Sequence, residues 1–143
     1  MTRLDGNLIF YKLLTAQASL MTLCSNRVFG PPLGIPSGMT APARAISFGS
    51  NGAPANISVP MADESFRTLC YGADQADANS VYLALADILN RRGRTVVALG
   101  GSVNAVIRHA ILDVGPVDLP DPGNDWPRVI ADWRIVYLET ALP

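Results

Sequence analysis

Charged side chains are scarce in this sequence, and one kind of cation is almost missing. Only 16% of the 143 residues are charged, and Lys12 is the single lysine. Typical soluble domains carry roughly 25% charged residues. The net charge is −1 and the arginines are scattered, so the chain lacks the clustered cations that bind nucleic acid through phosphates. With 49% hydrophobic residues, this composition predicts a large core or an apolar surface that a partner covers.

Residues for nucleophilic or metal chemistry are equally few. Cys24 and Cys70 form no C-x-x-C pair, and His109 is the single histidine, so no zinc-binding set is present. We expect two buried free thiols in a reducing cytoplasm. A small intracellular hydrolase that uses Cys24 or Cys70 with His109 is a weaker hypothesis.

Cofactor and calcium motifs are missing as well. No G-x-S-x-G elbow and no phosphate-binding glycine loop occurs, and Gly100-Gly101 is typical of a turn. Asp118, Asp121 and Asp125 alternate with prolines and do not match an EF-hand. The sequence therefore predicts no catalytic residue, no cofactor and no metal site.

The start of the chain needs a separate interpretation. The apolar run Leu8 to Leu14 precedes Ala16-Gln17-Ala18, which loosely imitates a signal peptide. Asp5 and Lys12 interrupt that pattern, and the run is too short to span a bilayer. We expect an amphipathic helix from about Gly6 with Asp5 as its N-cap, and no membrane partner.

The rest of the chain alternates strand patterns with one strong helix. Pro and Gly make Gly30 to Pro42 an irregular arm. Ala73 to Asn90 predicts a helix capped by Asp74 and stopped by Gly93. Turns are expected at Asn51-Gly52, and a loop is expected at Gly115 to Trp126. The predicted strands are Arg27 to Phe29, Ala43 to Gly49, Asn56 to Val59, Glu64 to Tyr71, Thr95 to Leu99, Val103 to Val114 and Arg128 to Glu139.

This order of elements indicates one α+β domain that spans residues 1–143. We expect a mostly antiparallel sheet with two main helices packed on one face. In the last strand, the alternation predicts that one face is formed by Val129, Ala131, Trp133, Ile135 and Tyr137.

Candidate contact residues lie mainly outside the regular elements. Aromatic and apolar side chains in long loops suit protein–protein contacts, although such loops can also fold back over their own domain. The candidates of this kind are Phe29, Leu33, Ile35, Met39, Leu119 and Trp126. Arg67, Arg108 and Arg134 alternate with apolar residues on predicted strands. They could line a lumen, pair across subunits or face solvent.

Several stretches of the sequence together form a recognisable order. They are Gln17 to Leu23, Arg27 to Phe29 with the Pro-rich segment, Ala43 to Ile46 and Arg128 to Leu138. The most specific stretch is Phe66 to Gly72, followed by a helix containing Ala76-Asp77-Ala78. In this order and spacing, which cover nearly the whole chain, the sequence resembles the tail terminator (tail completion) proteins of long-tailed bacteriophages and gene transfer agents.

This resemblance implies a tail-terminator-like fold and a structural role without catalytic residues. The family implies a homohexameric ring at the head–tail junction of the virion, assembled from subunits made in the host cytoplasm. One ring face would bind the tail tube protein and the other the head-completion or connector proteins. DNA could pass through the lumen without sequence-specific binding. Another neck component, such as a head-completion or adaptor protein, is the alternative.

Overall fold

The computed structural model describes residues 6–35, 38–52, 61–90, 95–100, 103–123 and 125–141. In chain order the elements are α1 (Gly6–Thr15), α2 (Ala18–Leu23), β1 (Val28–Phe29), β2 (Ala45–Gly52), β3 (Met61–Tyr71), α3 (Gln75–Asn90), β4 (Thr95–Gly100), β5 (Val103–Asp118) and β6 (Arg128–Ala141). The predicted cap Asp5, the predicted strand at 56–59 and the predicted stop Gly93 lie outside the described residues.

The described strands form one six-stranded sheet in the order β1-β2-β3-β6-β5-β4. The β1–β2 pair is parallel and the other pairs are antiparallel. β6 lies at the centre because it pairs with β3 on one side and with β5 on the other. The fold is therefore α+β with a mostly antiparallel sheet, which confirms the sequence prediction.

The helices pack on one face of this sheet, which we call the inner face. Phe10 of α1 stacks on Phe66 with ring centroids 4.7 Å apart and tilts against Phe48 at 4.8 Å. Tyr82 of α3 lies 6.4 Å from Trp133 of β6. All five side chains belong to the main core, so aromatic contacts join both long helices to the sheet.

The sequence pattern of β6 is confirmed by its burial. Its inner face is fully buried and consists of Val129, Ala131, Trp133, Ile135 and Tyr137. The hydroxyl of Tyr137 donates a hydrogen bond of 2.7 Å to the buried carboxylate of Glu64. A Cβ added to Gly6 would overlap that carboxylate, which therefore lies against the first turn of α1, where the helix dipole favours negative charge.

The start of α3 is fixed by a reciprocal pair of carboxylates. Asp74 accepts a 2.7 Å hydrogen bond from the backbone N–H of Asp77, and the Asp77 carboxylate accepts one of 3.1 Å from the N–H of Ala73. This arrangement is a variant of the capping box in which the reach-back bond goes to the residue before the N-cap, and the hydrogen bond from Asp77 confirms Asp74 as the N-cap. Gly72 precedes it, and a Cβ there would collide with the backbone of Ala78.

Two local predictions are wrong. Asn51 and Gly52 do not form a turn, because they continue β2 past a register shift between Ser50 and Gly52. The residues from Gly115 to Asp118 were expected in a loop, but they extend β5. Proline is tolerated there because β5 beyond Ile107 pairs, among the described residues, with β6 alone, and an edge strand does not need every N–H.

Candidate interaction surface

The face of the sheet turned away from the helices, here called the outer face, is covered at the end of β2 and β3 by the Pro-rich arm. Leu33 packs on Gly49, where an added Cβ would come within 3.2 Å of the leucine Cγ. The backbone N–H of Gly34 donates a 3.1 Å hydrogen bond to the buried hydroxyl of Ser47. The arm is therefore laid along β2 by one apolar contact and one hydrogen bond.

A small second core lies under this arm. Its buried residues are Ala45, Leu69 and Tyr71. The partly buried side chains packed against them are Phe29, Ile35, Met39, Trp126 and Ile130. Tyr71 and Trp126 meet edge to face with centroids 6.4 Å apart. This cluster is the covered half of the outer face.

Of the six apolar residues that the sequence suggests as contacts, four pack partly into this cluster of their own domain. These four are Phe29, Ile35, Met39 and Trp126. Leu33 and Leu119 are exposed. Phe29, Ile35, Met39 and Trp126 therefore fold back over their own domain, as the second interpretation expected. A role of all six residues in contacts with other proteins stays a prediction.

Two of the three candidate arginines pair within the chain. Arg67 donates to both carboxylate oxygens of Asp132, at 2.9 and 3.2 Å, across the β3–β6 pairing. Arg134 makes a similar two-pronged contact with Asp63. These hydrogen bonds raise the pKa of both guanidinium groups. The outer face between β3 and β6 is therefore close to electrically neutral, and its charges suit protein contacts better than phosphate contacts.

The third arginine, Arg108, is exposed on β5. It lies at a register shift between Ile107 and His109. Unlike Arg67 and Arg134, Arg108 makes no ion pair with the residues that the structure describes.

Sequence analysis missed a row of exposed apolar side chains on β5, which we call the β5 stripe: Ile111, Val114 and Val117. They lie opposite Arg134, Asp132 and Ile130 of β6 and so continue the outer face towards the sheet edge. The β5 stripe and the ion pairs Arg67–Asp132 and Arg134–Asp63 form the part of the outer face that the arm does not cover. We call it the open half of the outer face. The apolar residues that recur after Ile111 could have indicated this row. They were overlooked because residues 115–118 were predicted to form a loop.

The turn between β5 and β6 is held by Arg128. Its Nε donates to the carbonyl of Leu119 at 2.9 Å, and its Nη1 donates to Asp121 at 3.0 Å. Asp121 thus has a structural partner. In the part of the chain that the structure describes, no group of three His, Cys, Asp or Glu residues could hold a metal ion.

The cysteines are buried in the main core. Burial raises the pKa of Cys24 to about 11, and burial also raises the pKa of Cys70. A nucleophilic cysteine needs a lowered pKa and access to substrate, and neither thiol meets these conditions. His109 lies on β5 opposite Val136, and its side chain is outside the described part of the structure.

No membrane-spanning helix emerges from the described residues, because none of their helices has the necessary length and apolar character. The sequence matches no protein-family model. No curated protein matches it either. Among solved structures, the chain is similar in fold to a chain of a structure described as "Virion of native gene transfer agent (GTA) particle". The TM-score is 0.61 at 16% sequence identity, and the match covers 94% of this chain and 95% of the other.

Proposed function

We propose that this chain is a structural protein of a tailed virion or a related gene transfer particle. In this role it forms a ring at the head–tail junction that caps the tail tube, ends tube elongation and joins the tail to the neck. Its partners are further copies of itself, the tail tube protein and the head-completion or connector proteins.

The observation that carries this proposal is the fold shared over nearly the full length of both chains with a component of a gene transfer agent virion. At 16% identity the similarity is one of fold, so the role comes from combining it with the resemblance to tail terminators. The first rests on backbone geometry, and the second on the order and spacing of sequence features.

The surface chemistry is consistent with geometric capping. Arg67 and Arg134 of the outer face are neutralised by carboxylates of the same chain, and the β5 stripe beside them is apolar and exposed. Apolar side chains beside charges that are already paired form the kind of surface that protein partners bury. The function then depends on shape and surface alone, with no chemical step.

Tube polymerisation tests this proposal. Tail tube protein from the same genome is allowed to polymerise with and without the chain, and tube lengths are measured by electron microscopy. We expect shorter tubes with extra density at one end when the chain is present. Unchanged tube lengths and bare ends would contradict a terminator.

The same experiment distinguishes a tail terminator from the alternative, another component of the neck. A head-completion or adaptor protein would bind the portal or connector but leave free tube polymerisation unchanged. The small intracellular hydrolase is the least supported reading, because burial raises the pKa of both cysteine thiols.

A further inference from the structure

The β5 stripe is a strong candidate for a subunit contact. Ile111, Val114 and Val117 are 47%, 55% and 46% exposed on one face of one strand. Among the described residues β4 pairs with β5 only between Val103 and Ile107. The stripe therefore lies beside a length of sheet edge with which no described strand pairs, and its side chains are about half exposed.

This edge is poorly suited to accept another strand. The β5–β6 register shifts between Leu112 and Val114 and again between Val114 and Val117, and Pro116 has no N–H to donate. Such irregularities are how sheet edges avoid pairing with other strands. A partner would therefore contact side chains of β5 more readily than its backbone.

Two exposed carboxylates, Asp113 and Asp118, flank the β5 stripe along the strand. Neither forms an ion pair among the described residues, although Asp113 is close enough to Arg134 to help raise its pKa, and Asp118 lies opposite Val129 at the end of the strand. The nearby carboxylates Asp63 and Asp132 are already engaged by arginines. A partner that fits this surface should present an apolar patch with a cation beside it.

The chain itself carries such a patch on α1. Leu8 and Tyr11 are 39% and 40% exposed, and Lys12 is exposed next to them without an ion pair in the described residues. Residues spaced by three and four share one side of a helix. We call Leu8, Tyr11 and Lys12 the α1 patch. It lies on the helix layer, whereas the β5 stripe lies on the outer face.

We propose that the α1 patch of one copy docks on the β5 stripe of the next, with Lys12 at the strand edge that carries Asp113 and Asp118. The inference rests on the proposed ring and specifies its subunit contact. Because the two patches differ, the contact is heterologous, and each bound pair leaves one patch of each kind free for a further copy. Head-to-tail addition then continues until the ring closes.

Zero-length carbodiimide crosslinking tests this contact, because it joins an amine to a carboxylate only when the two touch, and Lys12 is the single lysine. Equal amounts of isotopically heavy and light chain are assembled on tail tubes, crosslinked and digested. We expect mixed heavy–light peptides that join Lys12 to Asp113 or Asp118. The K12R variant keeps the charge but lacks the amine, so it should still assemble and lose this crosslink.

Charge reversal provides the second readout. K12E and the double variant D113K/D118K should each reduce assembly about tenfold, since like charges then face each other. Mixed together they should assemble again with the two variants alternating, because each contact between unlike variants then brings opposite charges together. S80E places the same acidic side chain on the exposed side of α3 and should assemble normally.

The outcomes separate this contact from the proposed function. Rings on tube ends without any Lys12 crosslink, or rings that K12E leaves intact, would overturn the contact and leave the capping role standing. A chain that forms no ring and no crosslink, even in the presence of tubes, would overturn both.

Discussion

The carboxylate of Asp77, at the start of α3, links this helix to Arg44 in the segment before β2. Asp77 accepts hydrogen bonds from the N–H of Ala73 at 3.1 Å and from Nε of Arg44 at 2.5 Å. These two contacts, the backbone one first, lower the pKa of Asp77 from its ordinary value of 3.8. A carboxyl group whose pKa is lower in the folded state stabilises the fold above its unfolded pKa. That contribution disappears as the pH falls through the lowered value.

Replacing this carboxylate should therefore remove a pH-dependent part of the stability. We expect D77N to have a lower Tm than the wild type at pH 7, because the amide cannot pair with Arg44 as a charge. The difference should shrink as the pH falls below 3.8, because there the unfolded wild-type chain takes up a proton at Asp77 while the folded state, with its lowered pKa, still resists protonation. Thermal unfolding followed by circular dichroism from pH 7 to pH 3 checks this. D125N, at an exposed loop position, is the control, and a difference in Tm that is independent of pH would contradict the account.

The two thiols provide a second prediction at the scale of residues. Cys24 and Cys70 are buried, and burial raises the pKa of each. We expect Ellman's reagent to label neither thiol appreciably in the native protein at pH 8, and to label both after unfolding in guanidinium. Rapid labelling of the native chain would contradict this and would strengthen the hydrolase alternative.

At the scale of elements, the described part of the Pro-rich arm is held to the sheet by few contacts. Gly34 is tied to β2 by its hydrogen bond to Ser47, and Leu33 rests on Gly49. Ile35 and Met39 are only partly buried against the second core. Few buried contacts make such a segment the first to open locally.

Removing the Ser47 hydroxyl tests how the arm is held. In S47A the N–H of Gly34 loses its acceptor, and we expect a loss of about 1 kcal/mol in the free energy of unfolding. Amide hydrogen exchange at Gly34 should become faster, while exchange in α3 should not change. S80A, which removes an exposed hydroxyl bonded within its own helix, is the matched control. Unchanged exchange at Gly34 would show that the hydrogen bond does not hold the arm.

The elements also show how far sequence reasoning reaches. The inner face of β6 was predictable because its residues alternate strictly, and Asp74 was predictable as a cap because its side chain acts locally. The end of β5 was not, because Pro116 is read as a strand breaker unless the strand is known to be at an edge. The pairing of Arg67 with Asp132 depends on strand register across 65 positions of sequence, which local patterns do not contain.

At the scale of the whole molecule, the chain has two unlike surfaces that remain open. The helices cover the inner face of the sheet and the arm covers half of the outer face, which leaves the β5 stripe and the α1 patch exposed on different layers. A subunit with two different contact surfaces can close into a ring, whereas one self-complementary surface would stop at a dimer. The low charge and high apolar content of the sequence predicted that some surface would bind a partner. They did not predict which residues form it, because those residues become neighbours only in the folded chain.

Electron microscopy of tail tube ends assembled with this chain tests the central claim most directly. The account predicts a single ring with six-fold symmetry at one end of each tube, with density that accommodates six copies of this fold. Tube ends without the ring, or a chain that binds along the tube walls instead of at the end, would contradict it.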